Sequence, residues 1–167
     1  MSPGPRIDRP LAVLLVAFAA LATAWNVVVP VFEAPDEPQH FFVAQHLART
    51  WTLPVQSAEE SERGPWEQEG SQPPLYYLLA APLVALAGSD LEADGLWVNP
   101  QNSMGHPTVV GNENRYIHPP AREGWPWRGY SLAVHAIRGL STLLAILSVA
   151  LVWSMARRVF AGRHDQG

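Results

Sequence analysis

The sequence predicts an α-helical integral membrane protein, with two transmembrane helices joined by a long extracytoplasmic loop that carries juxtamembrane helices. Three observations lead there. Residues 11–31 form a run of 21 without a charged side chain, and about 20 apolar residues suffice to cross a bilayer. Residues 139–156 add a second uncharged run of 18, extended upstream past Arg138 by residues 132–134. The charges are also partitioned. Residues 32–131 hold thirteen Asp and Glu against five Arg, whereas Arg6 and Arg9 precede the first run and Arg157, Arg158 and Arg163 follow the second.

Arginine at both outer ends fits the positive-inside rule, which orients a chain by the basic residues close to its spans. The predicted layout is a cytoplasmic N-terminus (1–10), a first span (11–31), an extracytoplasmic loop (32–131), a second span (132–156) and a cytoplasmic tail (157–167). Such a protein is multi-pass in a cell membrane, has both termini in the cytoplasm, and has the lipid bilayer as its first partner. An acidic loop repels a phosphate backbone, so nucleic acid is not an expected partner. The chain has no cysteine, which excludes disulfides. A cleaved signal peptide competes for the first run, with Arg6 and Arg9 as its basic region and Ala22-Thr23-Ala24 as a small-x-small site. The apolar run continues through Val27, Val28, Val29 and Val31, which favours a retained span.

Along the chain, Pro3, Pro5 and Pro10 delay helix formation until the last of them. Trp25 suits the interfacial belt near the outer end of the first span, and Pro30 loosens the helix where it leaves the bilayer. There follows an acidic cluster, Glu33-Ala34-Pro35-Asp36-Glu37-Pro38-Gln39-His40-Phe41-Phe42. Asp36 with Gln39 three residues later resembles a capping box, and Pro38 falls in the first turn, where a missing N–H costs little. A helix over residues 37–50 is predicted, ending before Leu53-Pro54. Asp36 and His40 then lie one turn apart on one side.

Two uses of Asp36 stay open at this stage: a helix cap, or a general base whose proton affinity is raised by nearby apolar surface. A hard divalent cation held by Glu33, Asp36 or Glu37 is a further alternative, and the sequence holds no other sign of a cofactor. There is no His-x-x-x-His pair, and no nucleophilic-serine, Walker or dinucleotide motif.

Residues 55–70 read as an acidic, solvated loop. Residues 75–87 are apolar but number only 13, too few to cross a bilayer and suited to an interfacial or re-entrant helix. Residues 88–129 are rich in turn dipeptides and read as irregular structure without a core of their own, with Trp97, Trp125, Trp127 and Tyr130 at headgroup level. Tyr76 and Tyr77 suit either interfacial anchoring or stacking on a sugar ring. Arg138, at the outer end of the second span, needs a counter-charge or water, and with Arg115 and Arg128 it is a candidate to hold a phosphate or lipid headgroup.

A family likeness rests on several of these stretches together. A first span leading into Pro35-Asp36-Glu37-Pro38-Gln39-His40-Phe41, then Ser71-Gln72-Pro73-Pro74-Leu75-Tyr76-Tyr77, resembles the N-terminal part of polytopic type C (GT-C fold) membrane glycosyltransferases that use lipid-linked sugars. The resemblance is to the group that includes the protein mannosyltransferase and aminoarabinose transferase branches. Arg138-Gly139-Leu140-Ser141 with Ala156-Arg157-Arg158-Val159-Phe160 is similar to that family's R-x-x-S and A-R-R-x-F helix. The resemblance implies Asp36 as catalytic base for an acceptor hydroxyl and Glu37 as its partner in positioning acceptor or ion. It also implies that Gln72, Tyr76 and Tyr77 line the substrate cavity; His40, one turn from Asp36, and Arg138, at the span's outer end, are further substrate-binding candidates by position. The implied donor is a polyprenyl-phosphate sugar used in the cell envelope. Members of the fold have many spans, so the chain is expected to be a front module or fragment, inactive alone, completed by C-terminal spans or a membrane partner. The alternative expectation is a two-span protein that binds a lipid-linked sugar or cation, or packs against a larger membrane partner, without catalysis.

Overall fold

The computed structural model describes residues 8–57, 59, 63–102, 108 and 114–161. Their regular elements are all helical, with no strand among the described residues and one isolated antiparallel bridge between Val98 and Tyr116. Five α-helices occur among the described residues: α1 (Arg9–Val28), α2 (Glu37–Thr50), α3 (Leu75–Ala87), the one-turn α4 (Pro120–Glu123) and α5 (Gly129–Ala161). A 3-10 turn, Glu67–Ser71, precedes α3. The chain divides into two compact units, residues 1–28 with 138–167, and residues 29–137.

The first unit holds α1 and most of α5. Both helices are long and apolar enough to cross a membrane, and apolar side chains such as Val13, Leu21, Leu151 and Met155 lie exposed along them. Helix α1 ends at Val28, short of the predicted Val31, because Pro30 has no N–H to donate and biases the residue before it away from helix. Arg138 donates to the Asn26 carbonyl at 3.0 Å, and Arg157 pairs with Asp8. These two ties join opposite ends of the helices, so α1 and α5 run antiparallel.

The second unit is built around α2, whose boundaries match the predicted 37–50. Phe41, Phe42, Val43, Ala44 and Leu47 are all buried. Helix α3 matches the predicted 75–87 and buries Tyr77, Ala80, Ala81 and Val84, a single i, i+3, i+4, i+7 face. It stops at Gly88, whose φ of 65° is a left-handed conformation that glycine adopts without penalty. Three contacts fix how the two helices pair: His40 with Tyr77, Gln45 with Ser89, and Arg49 with Glu92. Starts meet starts and ends meet ends, so α2 and α3 run parallel, and residues 51–74 form the crossover between them.

Residues 88–129 were expected to have no core of their own, and the described part of this stretch packs into the shared core of the second unit. Leu91 and Tyr116 are buried in this unit together with Ala133 and Val134, and the 97–99 and 115–117 segments pair through Asn99 N–H to the Arg115 carbonyl and Ile117 N–H to the Trp97 carbonyl. The segment shares the core organised by α2, a long-range arrangement that local periodicity does not register.

Candidate functional site

The turn between α1 and α2 carries the acidic cluster, and its backbone is unusual. Phe32 and Asp36 both have left-handed φ values, 68° and 56°. Positive φ is uncommon outside glycine, and such strain persists only where the surroundings over-determine it. Here those surroundings are visible. The Phe32 ring packs edge-on against Phe41 and stacks on Tyr130, with centroids 5.3 and 5.9 Å away. Its N–H donates to Glu37 Oε2 at 2.7 Å. Glu37 therefore fixes the turn from the first residue of α2.

Asp36 occupies the N-cap position of α2, but its side chain makes no capping hydrogen bond. The capping-box reading fails for a geometric reason: the left-handed backbone at Asp36 replaces the extended conformation from which an N-cap side chain reaches the N–H groups of the first turn. Gln39, the other half of that box, is buried and points its amide N–H toward Glu67 at 3.5 Å. Asp36 is left exposed at the head of the helix.

His40 lies one turn on, as predicted, and its ring contacts belong to other elements. Its Nδ1 meets the Tyr77 hydroxyl at 2.7 Å and its Nε2 lies 3.7 Å from a carboxylate oxygen of Glu69. The fold thus joins two of the predicted substrate-binding residues, 37 positions apart, and adds Glu69, which the sequence placed in a solvated loop and the structure buries. Burial, with the Glu69 and Tyr76 charges adding to it, pushes the Tyr77 hydroxyl up to about 12, so it stays protonated at neutral pH. Tyr76 sits edge-on to Tyr77 at 5.5 Å, and Gln72, exposed, closes the 3-10 turn that carries Glu69. Arg138 belongs to the other unit, where its guanidinium serves the Asn26 carbonyl near the C-terminal end of α1. A cation there complements the helix dipole.

A second cluster was not anticipated. Glu33 accepts from the backbone N–H groups of Arg115 and Tyr116 at 2.8 and 2.9 Å, and from His118 Nε2 at 2.8 Å. His118 Nδ1 meets Glu123 at 2.7 Å, and the Tyr130 hydroxyl donates to the other Glu123 oxygen at 2.8 Å. The hydrogen bond to Glu123 raises the His118 pKa above its ordinary 6.5; burial opposes it, while the Glu33 bond and both carboxylate charges add to the rise. Beside this cluster lies a recess of about 10 Å³, the room of a single water and far too little for a sugar. Tyr130 is buried here, and Trp127 stacks on His135 at 3.6 Å. Trp97 and Trp125 remain exposed.

These contacts also bear on the cation alternative. Glu33 is committed to N–H donors and Glu37 to the Phe32 N–H, and no group of three or more His, Cys, Asp or Glu gathers as a metal would require among the described residues. The trio Glu33, Asp36 and Glu37 is adjacent in sequence and separated in task.

No family model, curated protein or solved structure matches the chain. Function therefore rests on the geometry and on the pattern of motifs. Glu69 and His118 were missed because His40 and Glu33, their partners, lie 29 and 85 residues away, and Glu123 and Tyr130 join the cluster through His118. Only the cost of a carboxylate close to a membrane span, at Glu33, hinted that a partner must exist.

Proposed function

We propose that this chain is the N-terminal module of a membrane glycosyltransferase of the type C fold, transferring a sugar from a polyprenyl-phosphate donor to an acceptor hydroxyl on the extracytoplasmic face. The observation that carries the reading is the exposed Asp36 carboxylate, held on a strained turn that Glu37 and Phe32 fix, with no capping role to occupy it. A carboxylate so placed accepts the acceptor hydroxyl's proton as the oxygen attacks the anomeric carbon. The bond from that carbon to the lipid phosphate breaks, and its electron pair leaves with the phosphate, so configuration inverts.

Glu37 is the positioning residue for Asp36. His40 and Tyr77, linked to each other, and Gln72 and Tyr76 beside them present hydrogen-bonding and aromatic groups to the sugar. Helices α1 and α5 cross the bilayer, with both termini in the cytoplasm and residues 32–131 outside. Their antiparallel pairing and the arginines beyond each outer end support that orientation. A divalent cation is not required by this scheme.

The deciding experiment follows transfer of a radiolabelled sugar from its polyprenyl-phosphate donor in native membranes. Asp36→Asn is expected to abolish transfer while the protein still inserts. Normal turnover in that variant overturns the reading.

A further inference from the structure

The Glu33–His118–Glu123 cluster plays no part in the proposed chemistry, yet it is the densest polar arrangement among the described residues. It joins the two ends of the second unit. Glu33 lies four residues beyond its start, while residues 114–123 and the first turn of α5 lie close to its end. Every bond that makes the connection converges on one imidazole or on the carboxylates that flank it. With Nε2 at 2.8 Å from Glu33 and Nδ1 at 2.7 Å from Glu123, both ring nitrogens face carboxylate oxygens. A neutral imidazole has one N–H and one lone pair, so it satisfies only one of these contacts and sets its lone pair against the other carboxylate. Only the imidazolium donates to both.

We propose that Glu33, His118 and Glu123 form a proton-dependent clasp, closed when His118 carries both ring protons and loosened when it loses one, so that pH governs how firmly residues 114–123 are held against the turn that carries Asp36. Two arginines lie near the clasp, each set over a neighbouring tyrosine ring. Among the described residues, the titratable side chains that meet the imidazole are Glu33 and Glu123. Arg115 lies over the Tyr116 ring and Arg122 over the Tyr130 ring, 5.5 and 5.1 Å from the centroids. From the 95–97 segment, Gly95, Leu96 and Trp97 approach the neighbouring recess and none of them titrates. The raised proton affinity of His118 agrees with the geometry.

Loss of the proton also reaches the backbone. The Glu33 oxygen that accepts from His118 is the one that accepts from the Tyr116 N–H. A lone pair turned on that oxygen weakens the tie at the start of the unit, and at Glu123 it disturbs the Tyr130 bond that anchors the first turn of α5. Because Phe32 stacks on Tyr130, the strained turn before Asp36 is the next element to feel the change.

The chain has no cysteine, so spin labels at Ala34→Cys and Ala121→Cys in the 167-residue chain in detergent report clasp closure directly. The interlabel distance distribution is expected to be narrow near pH 5 and to broaden at least about twofold by about pH 9. The same labels on His118→Gln, whose amide retains one donor, are expected to give a broad, pH-independent distribution. Without any substitution, NMR of ring-labelled histidine is expected to show both His118 nitrogens protonated at neutral pH. A distribution that stays narrow across the range overturns the proposal, as does a His118 ring found neutral at neutral pH. Neither measurement depends on sugar transfer, so the clasp stands or falls apart from the glycosyltransferase reading.

Discussion

Single carboxylates a few positions apart have different tasks in this protein. Glu33 serves two backbone N–H groups and a histidine, Glu37 holds the Phe32 N–H, and Asp36 between them stays exposed. Their sequence neighbourhood is shared; their partners are not. Replacing Glu33 by Ala leaves the Arg115 and Tyr116 N–H groups without their acceptor in a part-buried setting, and about 1–3 kcal/mol of stability is expected to be lost, measurable by denaturant unfolding in detergent. Tyr77→Phe removes the hydroxyl from His40 without changing the packing around a ring that is 3% exposed. It is expected to cost about 1 kcal/mol in the same assay and to abolish the high-pH phenol titration assigned to this tyrosine.

At the scale of elements, the parallel pairing of α2 and α3 is the frame that brings His40 to Tyr77. Leu47 is fully buried on α2, whereas Leu86 at the end of α3 is 85% exposed. Leu47→Ala is expected to destabilise the unit by about 2–5 kcal/mol, and Leu86→Ala to change unfolding by no more than about 0.5 kcal/mol. Gly88 tests the α3 terminus in another way. A Cβ there meets nothing within 4 Å, so the roughly 1 kcal/mol cost expected for Gly88→Ala comes from its left-handed backbone and not from crowding. The ranges of α2 and α3 were legible in sequence because Pro38, the Leu53-Pro54 break and Gly88 are local signals. That α3 lies parallel to α2 was not legible, since the crossover over residues 51–74 carries no periodic pattern that states a direction.

For the molecule as a whole, the pH response follows from the sign of one shift. The fold favours protonated His118, so its contribution to stability is complete below the ordinary value of 6.5 and is lost as pH rises through the raised folded value. Unfolding midpoints measured across that window are expected to fall with rising pH in the wild type and to flatten in His118→Gln. Orientation has a separate check: cytoplasmic reporters fused to the two termini are expected to signal at both, and signal at one end alone contradicts the antiparallel two-span arrangement. The sequence by itself determined the two membrane-length helices, the bounds of α2 and α3 and the position of Asp36 at the head of a helix, because apolar run length, prolines and a glycine stop act locally. Only the tertiary structure decided what each polar side chain does. Asp36 is exposed and not a cap because Phe32 and Glu37 twist its turn, His40 turns to Tyr77 and Glu69, and Glu33 reaches across 85 residues to His118. A buried charge must find a partner, and in a folded chain that partner is chosen by proximity in space.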